Sequence, residues 1–222
     1  MSVVLFISPH PDDEVLGCGG TIFKHKQNGD TILWLVVSTG YTCDGFSKES
    51  VESMEKQVDS VRKFVGFSSF KRLKFPSAKL DNVPMADIVS EINDFINRHK
   101  PDTIYVNYRG DAHTDHKIVF DSVWSCCKSF RNPFVRNVYV YEVVSESNYH
   151  NPLNSIPFSP NTYQDISLFL DLKIEAFCLY GSELGQHPNP RSVDSIKALA
   201  KLRGSESGLV YAEAFMCVKQ VV

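Results

Sequence analysis

Two short stretches of the chain concentrate the residue types that bind metals and move protons. The first, residues 9–14 (PHPDDE), follows the apolar run Val3 to Ile7 and precedes three glycines. A short apolar run that ends in Pro and Gly predicts a buried strand leading into a loop. Burying three carboxylates there is unfavourable unless a cation or paired groups offset their charge. A divalent metal held by His and Asp would do so, and would leave a carboxylate for acid–base chemistry.

The second stretch, residues 111–116 (DAHTDH), also follows an apolar run, residues 103–108. In a doubly wound sheet the first and fourth strands tend to be neighbours, so we expect the two stretches to face each other. A mixed set of imidazole and carboxylate ligands is typical of a catalytic zinc site, whereas Mg²⁺ prefers oxygen ligands. The residues offered by the two stretches together are His10, Asp12, Asp13, His113, Asp115 and His116.

Each of these residues also has an ordinary structural interpretation. A lone His is usually a loop residue, and an Asp before a helix is usually an N-cap, so for Asp115 a cap and a catalytic role are equally supported. Two such clusters, each directly after a buried strand, favour metal binding over coincidence. The nearby Gly-Cys-Gly-Gly at residues 17–20 lacks the Lys of a phosphate-binding loop and the spacing of a dinucleotide fingerprint.

The elements that must position these clusters alternate between strand and helix patterns. Such alternation predicts βαβ units and a mostly parallel, twisted sheet flanked by helices, in one domain over residues 1–222. The segment 148–161, rich in Asn and Pro, is predicted to be a long ordered loop. After the first strand, strand patterns cover 31–38, 72–75, 103–108, 137–143 and 212–218, and helical patterns cover 49–64, 87–99, 115–130, 167–180 and 193–202.

The net charge, the length of the apolar runs and the cysteine pattern limit which classes of protein this chain can belong to. The net charge of -3 excludes a broad nucleic-acid or membrane-surface footprint. No apolar stretch approaches the ~18 residues of a membrane-spanning helix, and the N-terminal run reads as a strand and not a signal peptide. The six cysteines form no CxxC pattern, which favours reduced thiols and a cytoplasmic location. A homo-oligomer is compatible with the sequence.

The paired motifs closely resemble those of the GlcNAc-phosphatidylinositol de-N-acetylase (PIG-L/LmbE-like) family. The resemblance includes residues 9–14, 16–21, 107–117 and the tail Tyr211 to Phe215. The pattern from Tyr180 to the tail is similar to a bacterial sugar-modifying branch that often acts in surface-polysaccharide or antibiotic biosynthesis. This resemblance implies a Rossmann-like fold and a zinc-dependent hydrolase that releases acetate and a free amine from an N-acetylated sugar.

The resemblance also implies a role for each motif residue. His10, Asp13 and His116 would hold the metal, and Asp12 would be the general base. His113, as an imidazolium, would stabilise the oxyanion or act as an acid, with Asp115 orienting its ring.

Substrate specificity is expected to come from the loops, chiefly 148–161 and 187–191, with Arg109 and Arg191 binding hydroxyls or a phosphate. The expected substrate is a soluble GlcNAc-type conjugate, including nucleotide- or carrier-linked sugars. Three alternatives stay open: hydrolysis of a different amide or ester, a metal-containing sugar-binding protein without catalysis, and a nucleotide-binding protein without metal.

Overall fold

The computed structural model describes residues 1–153 and 156–222. In these ranges seven strands form one sheet in the order β3-β2-β1-β4-β5-β7-β6. Neighbours among β1 to β5 run parallel, and β7 is antiparallel to both β5 and β6. The strands are β1 (Val3–Ser8), β2 (Thr31–Thr39), β3 (Ser69–Pro76), β4 (Thr103–Asn107), β5 (Asn137–Tyr141), β6 (Thr162–Asp165) and β7 (Ala212–Gln220).

Helices cover both faces of the sheet, as the α/β pattern predicts. The six described helices are α1 (Asp13–Gln27), α2 (Lys48–Val65), α3 (Met85–His99), α4 (Thr114–Cys126), α5 (Leu170–Cys178) and α6 (Val193–Ser207). Residues of α1, α2, α5 and α6 share one apolar core with Phe6 and Trp34, whereas α3 and α4 share the other with Leu5 and Leu33. Because helices cover both faces, the central strands are apolar on both sides, and their sequences are continuous hydrophobic runs.

The predicted mostly parallel sheet is confirmed, and several element boundaries differ from prediction. The strand β6 lies between the predicted loop 148–161 and the predicted helix 167–180, where no element was predicted because four half-buried residues carry no alternating pattern. The helix expected over 115–130 ends at Cys126, where Asn132 donates a side-chain hydrogen bond of 2.8 Å to the Cys126 carbonyl. No helix among the described residues is long and apolar enough to cross a membrane.

The strand order places the two motifs side by side. Strands β1 and β4 are paired in parallel, with Ile7 opposite Val106, so their carboxyl ends open at one edge of the sheet. From β1 the chain goes to β2 on one side of the sheet, and from β4 it goes to β5 on the other side. The pair β1 and β4 is therefore the switch point of the sheet. Ligands of open α/β sheets bind outside the strand ends at such a point.

Candidate active site

The loops after β1 and β4 bring two imidazoles and one carboxylate together. Oδ2 of Asp13 lies 3.6 Å from Nδ1 of His10 and 3.3 Å from Nε2 of His116. The ligand atoms of these three residues all lie within 4.8 Å of one another. The other oxygen of Asp13, Oδ1, is buried and lacks a hydrogen-bond partner within the described ranges. An unpartnered buried carboxylate oxygen between two imidazoles fits a divalent cation, so the residues present suit the metal predicted from the sequence.

The charges around His116 are arranged to hold a positive ion. Burial alone would lower the pKa of His116, but Asp13 and Asp111 outweigh it and raise that pKa to about 10. Burial would likewise raise the pKa of Asp13, but His116 and His10 hold it below its ordinary value. The carboxylates that keep a proton on His116 would favour a metal ion at the same nitrogen.

A second carboxylate stands behind each of the two imidazoles. Nε2 of His10 donates to Oδ2 of Asp115 at 3.0 Å, and Nδ1 of His116 donates to Oδ2 of Asp111 at 2.7 Å. Asp111 in turn accepts a hydrogen bond from Ser147 at 2.5 Å. Each contact fixes the ring orientation and leaves the opposite nitrogen facing Asp13, an arrangement typical of metal-bound histidines.

Asp115 was expected to orient the ring of His113, and its carboxylate and its main chain make different contacts. That carboxylate contacts His10 and accepts backbone N–H bonds from Ala78 (2.7 Å) and Leu80 (3.2 Å). Asp115 holds His113 through its main chain, because its N–H donates to Nδ1 of His113 at 3.1 Å. His10, His113 and Asp115 form a second group with ligand atoms within 4.8 Å, but the carboxylate of Asp115 is already occupied by these three donors.

His113 is a neutral imidazole in this environment, and not the imidazolium that was expected. Burial, followed by the neighbouring His10 and His116, lowers the pKa of His113 to about 4. Since Nδ1 accepts the Asp115 N–H, the ring proton of the neutral form resides on Nε2. His113 lines the cavity described below, so this Nε2–H is available as a hydrogen-bond donor.

Asp12 occupies a strained backbone position at the start of α1. Its φ angle is 101°, in the region that non-glycine residues rarely adopt. The Asp12 N–H donates to Glu14 at 3.2 Å, and Glu14 accepts a further bond from the Tyr180 hydroxyl at 2.7 Å. Oδ2 of Asp12 contacts Arg191, whereas its buried Oδ1 has no partner in the part of the chain that is described. Burial raises the pKa of Asp12, and Arg191 opposes that rise.

A cavity of about 590 Å³ opens onto Asp12, His10 and His113. Its opposite wall is formed by the loop before α2 and the first turns of that helix, including Phe46, Glu49, Val51, Met54 and Glu55. Arg72, Glu146, Glu183 and Arg191 complete its polar lining.

Comparison with known proteins places the chain in a family. Residues 5–127, more than half of the chain, match the model of the PIG-L family, described as GlcNAc-PI de-N-acetylase. The chain belongs to this family. The deacetylase YaiS of Escherichia coli (strain K12), described as uncharacterized, is 27% identical over 57% of this chain and 68% of its own length. Diacetylchitobiose deacetylase of Thermococcus kodakarensis is 24% identical over 97% of this chain and 82% of its own.

Solved structures share the fold of this chain. The conserved protein TT1542 of Thermus thermophilus superposes with a TM-score of 0.79 at 26% identity, covering 100% of this chain and 97% of that one. The fold also serves other chemistry: GalB, the 4-carboxy-2-hydroxymuconate hydratase of Pseudomonas putida KT2440, has a TM-score of 0.73 at 18% identity, covering 100% and 98%. The reaction of this PIG-L protein must therefore be argued from its site and not from its fold.

The two arginines expected to bind substrate lie in different places. Arg109 is half exposed, pairs with Asp121 at 2.6 Å, and is absent from the cavity lining within the described chain. Arg191 does line the cavity, but its guanidinium contacts Asp12 (2.8 Å), Glu183 (2.6 Å) and Ser145 (2.8 Å). Arg109 therefore lies apart from this cavity, and Arg191 lines it while contacting protein groups.

The segment 148–161 also contributes differently from what was expected. None of its described residues lines the cavity, and residues 154 and 155 lie outside the described ranges. The wall of the PIG-L cavity comes instead from α2 and from Glu146. The sequence analysis also missed Asp111, Glu14 and Tyr180. Asp111 and Glu14 did carry a signal, because they lie in the second and the first polar stretch.

Proposed function

We propose that this protein is a metal-dependent N-deacetylase that hydrolyses the acetamide of an N-acetylated sugar to acetate and a free amine. The observation that carries the proposal is the buried Oδ1 of Asp12, which is unpartnered in the described chain and lies beside both the metal-binding triad and the cavity. Relatives described as deacetylases support the same reaction class.

Zn²⁺ is the metal we propose for His10, Asp13 and His116. Two imidazole nitrogens and one carboxylate oxygen, with room for water, are a donor set typical of catalytic zinc, whereas Mg²⁺ prefers oxygen alone. When bound, the cation would polarise the acetyl carbonyl and lower the pKa of a coordinated water.

Asp12 is proposed to be the general base. Its Oδ1 can accept a proton from the attacking water, and the same carboxyl group can return that proton to the leaving nitrogen. Arg191 and the N–H contact with Glu14 fix the carboxylate on a strained turn, so the free oxygen has a set direction.

His113 is proposed to stabilise the oxyanion. Its Nε2–H can donate to the carbonyl oxygen as negative charge develops there, and a neutral imidazole donates without a proton transfer. The main-chain N–H of Asp115 keeps the ring in this tautomer.

The test is metal analysis combined with product detection. We expect purified protein to hold one Zn²⁺ per chain and to release acetate and amine from N,N'-diacetylchitobiose, with activity lost to a chelator and restored by Zn²⁺. His116→Ala should lose metal and activity, whereas His99→Ala, a distant half-buried histidine, should keep both. Stoichiometric metal and sugar binding without amine formation would instead support a binding protein.

Two further expectations belong to this proposal. We propose that residues 1–222 act as one domain, because β5 and β7, beyond the family match, complete the same sheet. We also propose a reducing, cytoplasmic location and a role in bacterial glycan biosynthesis; the six free cysteines support the location.

A further inference from the structure

The cavity beside the metal-binding triad carries more negative than positive groups. Two guanidiniums, of Arg72 and Arg191, lie in its lining. The carboxylates in the same described lining number five: Asp12, Glu49, Glu55, Glu146 and Glu183.

Both guanidiniums are already bound by protein groups. Arg191 contacts the carboxylates of Asp12 and Glu183 at 2.8 and 2.6 Å. Arg72 contacts Glu55 at 2.7 Å and donates to the Ser38 carbonyl at 3.0 Å. These carboxylates offset the charge of both guanidiniums, so an anionic substrate would gain less from either arginine than from an unpaired one.

Two of the five carboxylates accept no hydrogen bond from a cationic side chain among the described residues. Glu146 is mostly buried, and its closest described cationic partner, Nη2 of Arg191, is 4.0 Å away. Glu49 is an exposed residue of the lining and makes no ion pair within the described residues. The same wall presents the apolar side chains of Phe46, Val51 and Met54, against which an uncharged sugar ring can pack.

A metal in the triad does not reverse this balance. Asp13, which is buried beside the cavity, offsets one of the two positive charges of a divalent cation. The remaining positive charge is smaller than the excess of lining carboxylates over guanidiniums. The outer cavity, with Glu49, Glu146 and the paired Glu55, stays acidic.

We propose that this cavity selects N-acetylated sugars without negative charge and disfavours phosphate-linked sugars. The proposal rests on the deacetylase function above and narrows its substrate class. A phosphate near the scissile amide would be desolvated among carboxylates, and the described lining offers it no unpaired cation. Repulsion would therefore discriminate against phosphate-linked sugars. This selectivity removes nucleotide-linked sugars from the substrates expected from the sequence.

The matched substrates for the test are methyl N-acetyl-β-glucosaminide and N-acetylglucosamine 1-phosphate, which share the acetamide and differ in charge. We expect kcat/KM to be at least about tenfold higher for the neutral glycoside at low salt, because like charges oppose each other. Added salt should shrink the ratio by screening. Equal kcat/KM values, or a preference for the phosphate, would overturn the proposal.

Charge reversal on one helix supplies the control. Glu49→Lys changes a cavity-lining residue, whereas Glu52→Lys makes the same charge change three positions on, outside the cavity lining. We expect Glu49→Lys to raise kcat/KM for the phosphate at least about threefold, and Glu52→Lys to change it less than about twofold. Equal effects of both variants would show that net charge, and not the cavity, sets selectivity.

The two proposals fail separately. Absence of amine from every sugar contradicts the deacetylase function, and the charge preference is then judged from calorimetric binding of the same two ligands. Turnover of both substrates at equal efficiency contradicts only the charge preference.

Discussion

Oδ2 of Asp12 and Nη1 of Arg191 lie 2.8 Å apart, although 179 positions separate these residues in the chain. The contact joins the loop after β1 to the segment that precedes α6. Because Arg191 also bonds Glu183 and Ser145, its guanidinium is held in place beside the carboxylate of Asp12. This relationship changes what substitution of Arg191 should do.

Arg191→Ala should lower kcat and leave KM for a neutral substrate nearly unchanged. Loss of the guanidinium frees the Asp12 carboxylate to rotate, and misplacement of a catalytic group costs roughly 10- to 100-fold in rate. Arg191→Lys should give an intermediate kcat, since an ammonium has one nitrogen, whereas Arg191 bonds Ser145 through Nε and the two carboxylates through Nη1. Arg109→Ala, which breaks only an exposed pair, is the control and should remain within about twofold of wild type. If Arg191→Ala raised KM and left kcat unchanged, Arg191 would bind substrate and would not position Asp12.

Asp12→Asn should retain the metal and lose most turnover. The amide keeps the size of the side chain but cannot accept a proton, so kcat should fall by about 100-fold or more. Metal content, measured by mass spectrometry on the same sample, separates this loss from loss of the ion. If the metal-loaded variant turns over at near wild-type kcat, another group is the base.

His113→Ala should lower kcat far more than it weakens metal binding. Its pKa of about 4 leaves the ring neutral at neutral pH, so we expect it to act as a hydrogen-bond donor to the oxyanion. Removing one such donor costs about 100- to 1000-fold in kcat. His113→Gln retains a donor and should recover part of the rate. Metal loss in His113→Ala would place this residue in the coordination sphere instead.

Sequence reasoning located the two polar loops, because apolar runs that end in Pro or polar residues identify strand ends, and parallel order brings those ends together. It could not assign the partner of Asp115. The amides of Ala78 and Leu80 reach that carboxylate from the loop after β3, across 35 to 37 positions. An Asp that caps a helix and an Asp that orients a metal-binding histidine look the same in the sequence, an acidic residue at the start of a helix. Only tertiary packing distinguishes the two. The contacts of Arg191 were hidden for the same reason.

The carboxylates behind the two imidazoles should control metal affinity. Asp111→Asn and Asp115→Asn should each weaken Zn²⁺ binding by about 10- to 100-fold, because an amide orients His116 or His10 less well. Asp121→Asn, on the exposed face of α4, is the matched control and should leave affinity unchanged. Competition with a chromophoric chelator measures each dissociation constant. If Asp115→Asn left the Zn²⁺ affinity unchanged, the carboxylate of Asp115 would only hold the loop of Ala78 and Leu80 and would not support the metal.

Lys173→Met should destabilise the fold by roughly 3 to 5 kcal/mol, because it leaves the buried carboxylate of Glu213 without its cation. Nζ of Lys173 lies 2.6 Å from Oε1 of Glu213 and donates to the Leu16 carbonyl at 2.7 Å. Glu213 accepts further bonds from the N–H groups of Gly20 and Thr21 at 2.9 and 2.8 Å, so the pair ties α1 to β7 and α5. Urea denaturation measures the free energy of unfolding, and the exposed Lys201→Met should change it by less than about 0.5 kcal/mol. Since α1 begins at Asp13, Lys173→Met should also release metal at a lower urea concentration than wild type, in step with unfolding. Metal loss well before unfolding would show that the pair supports the site locally and not through the fold.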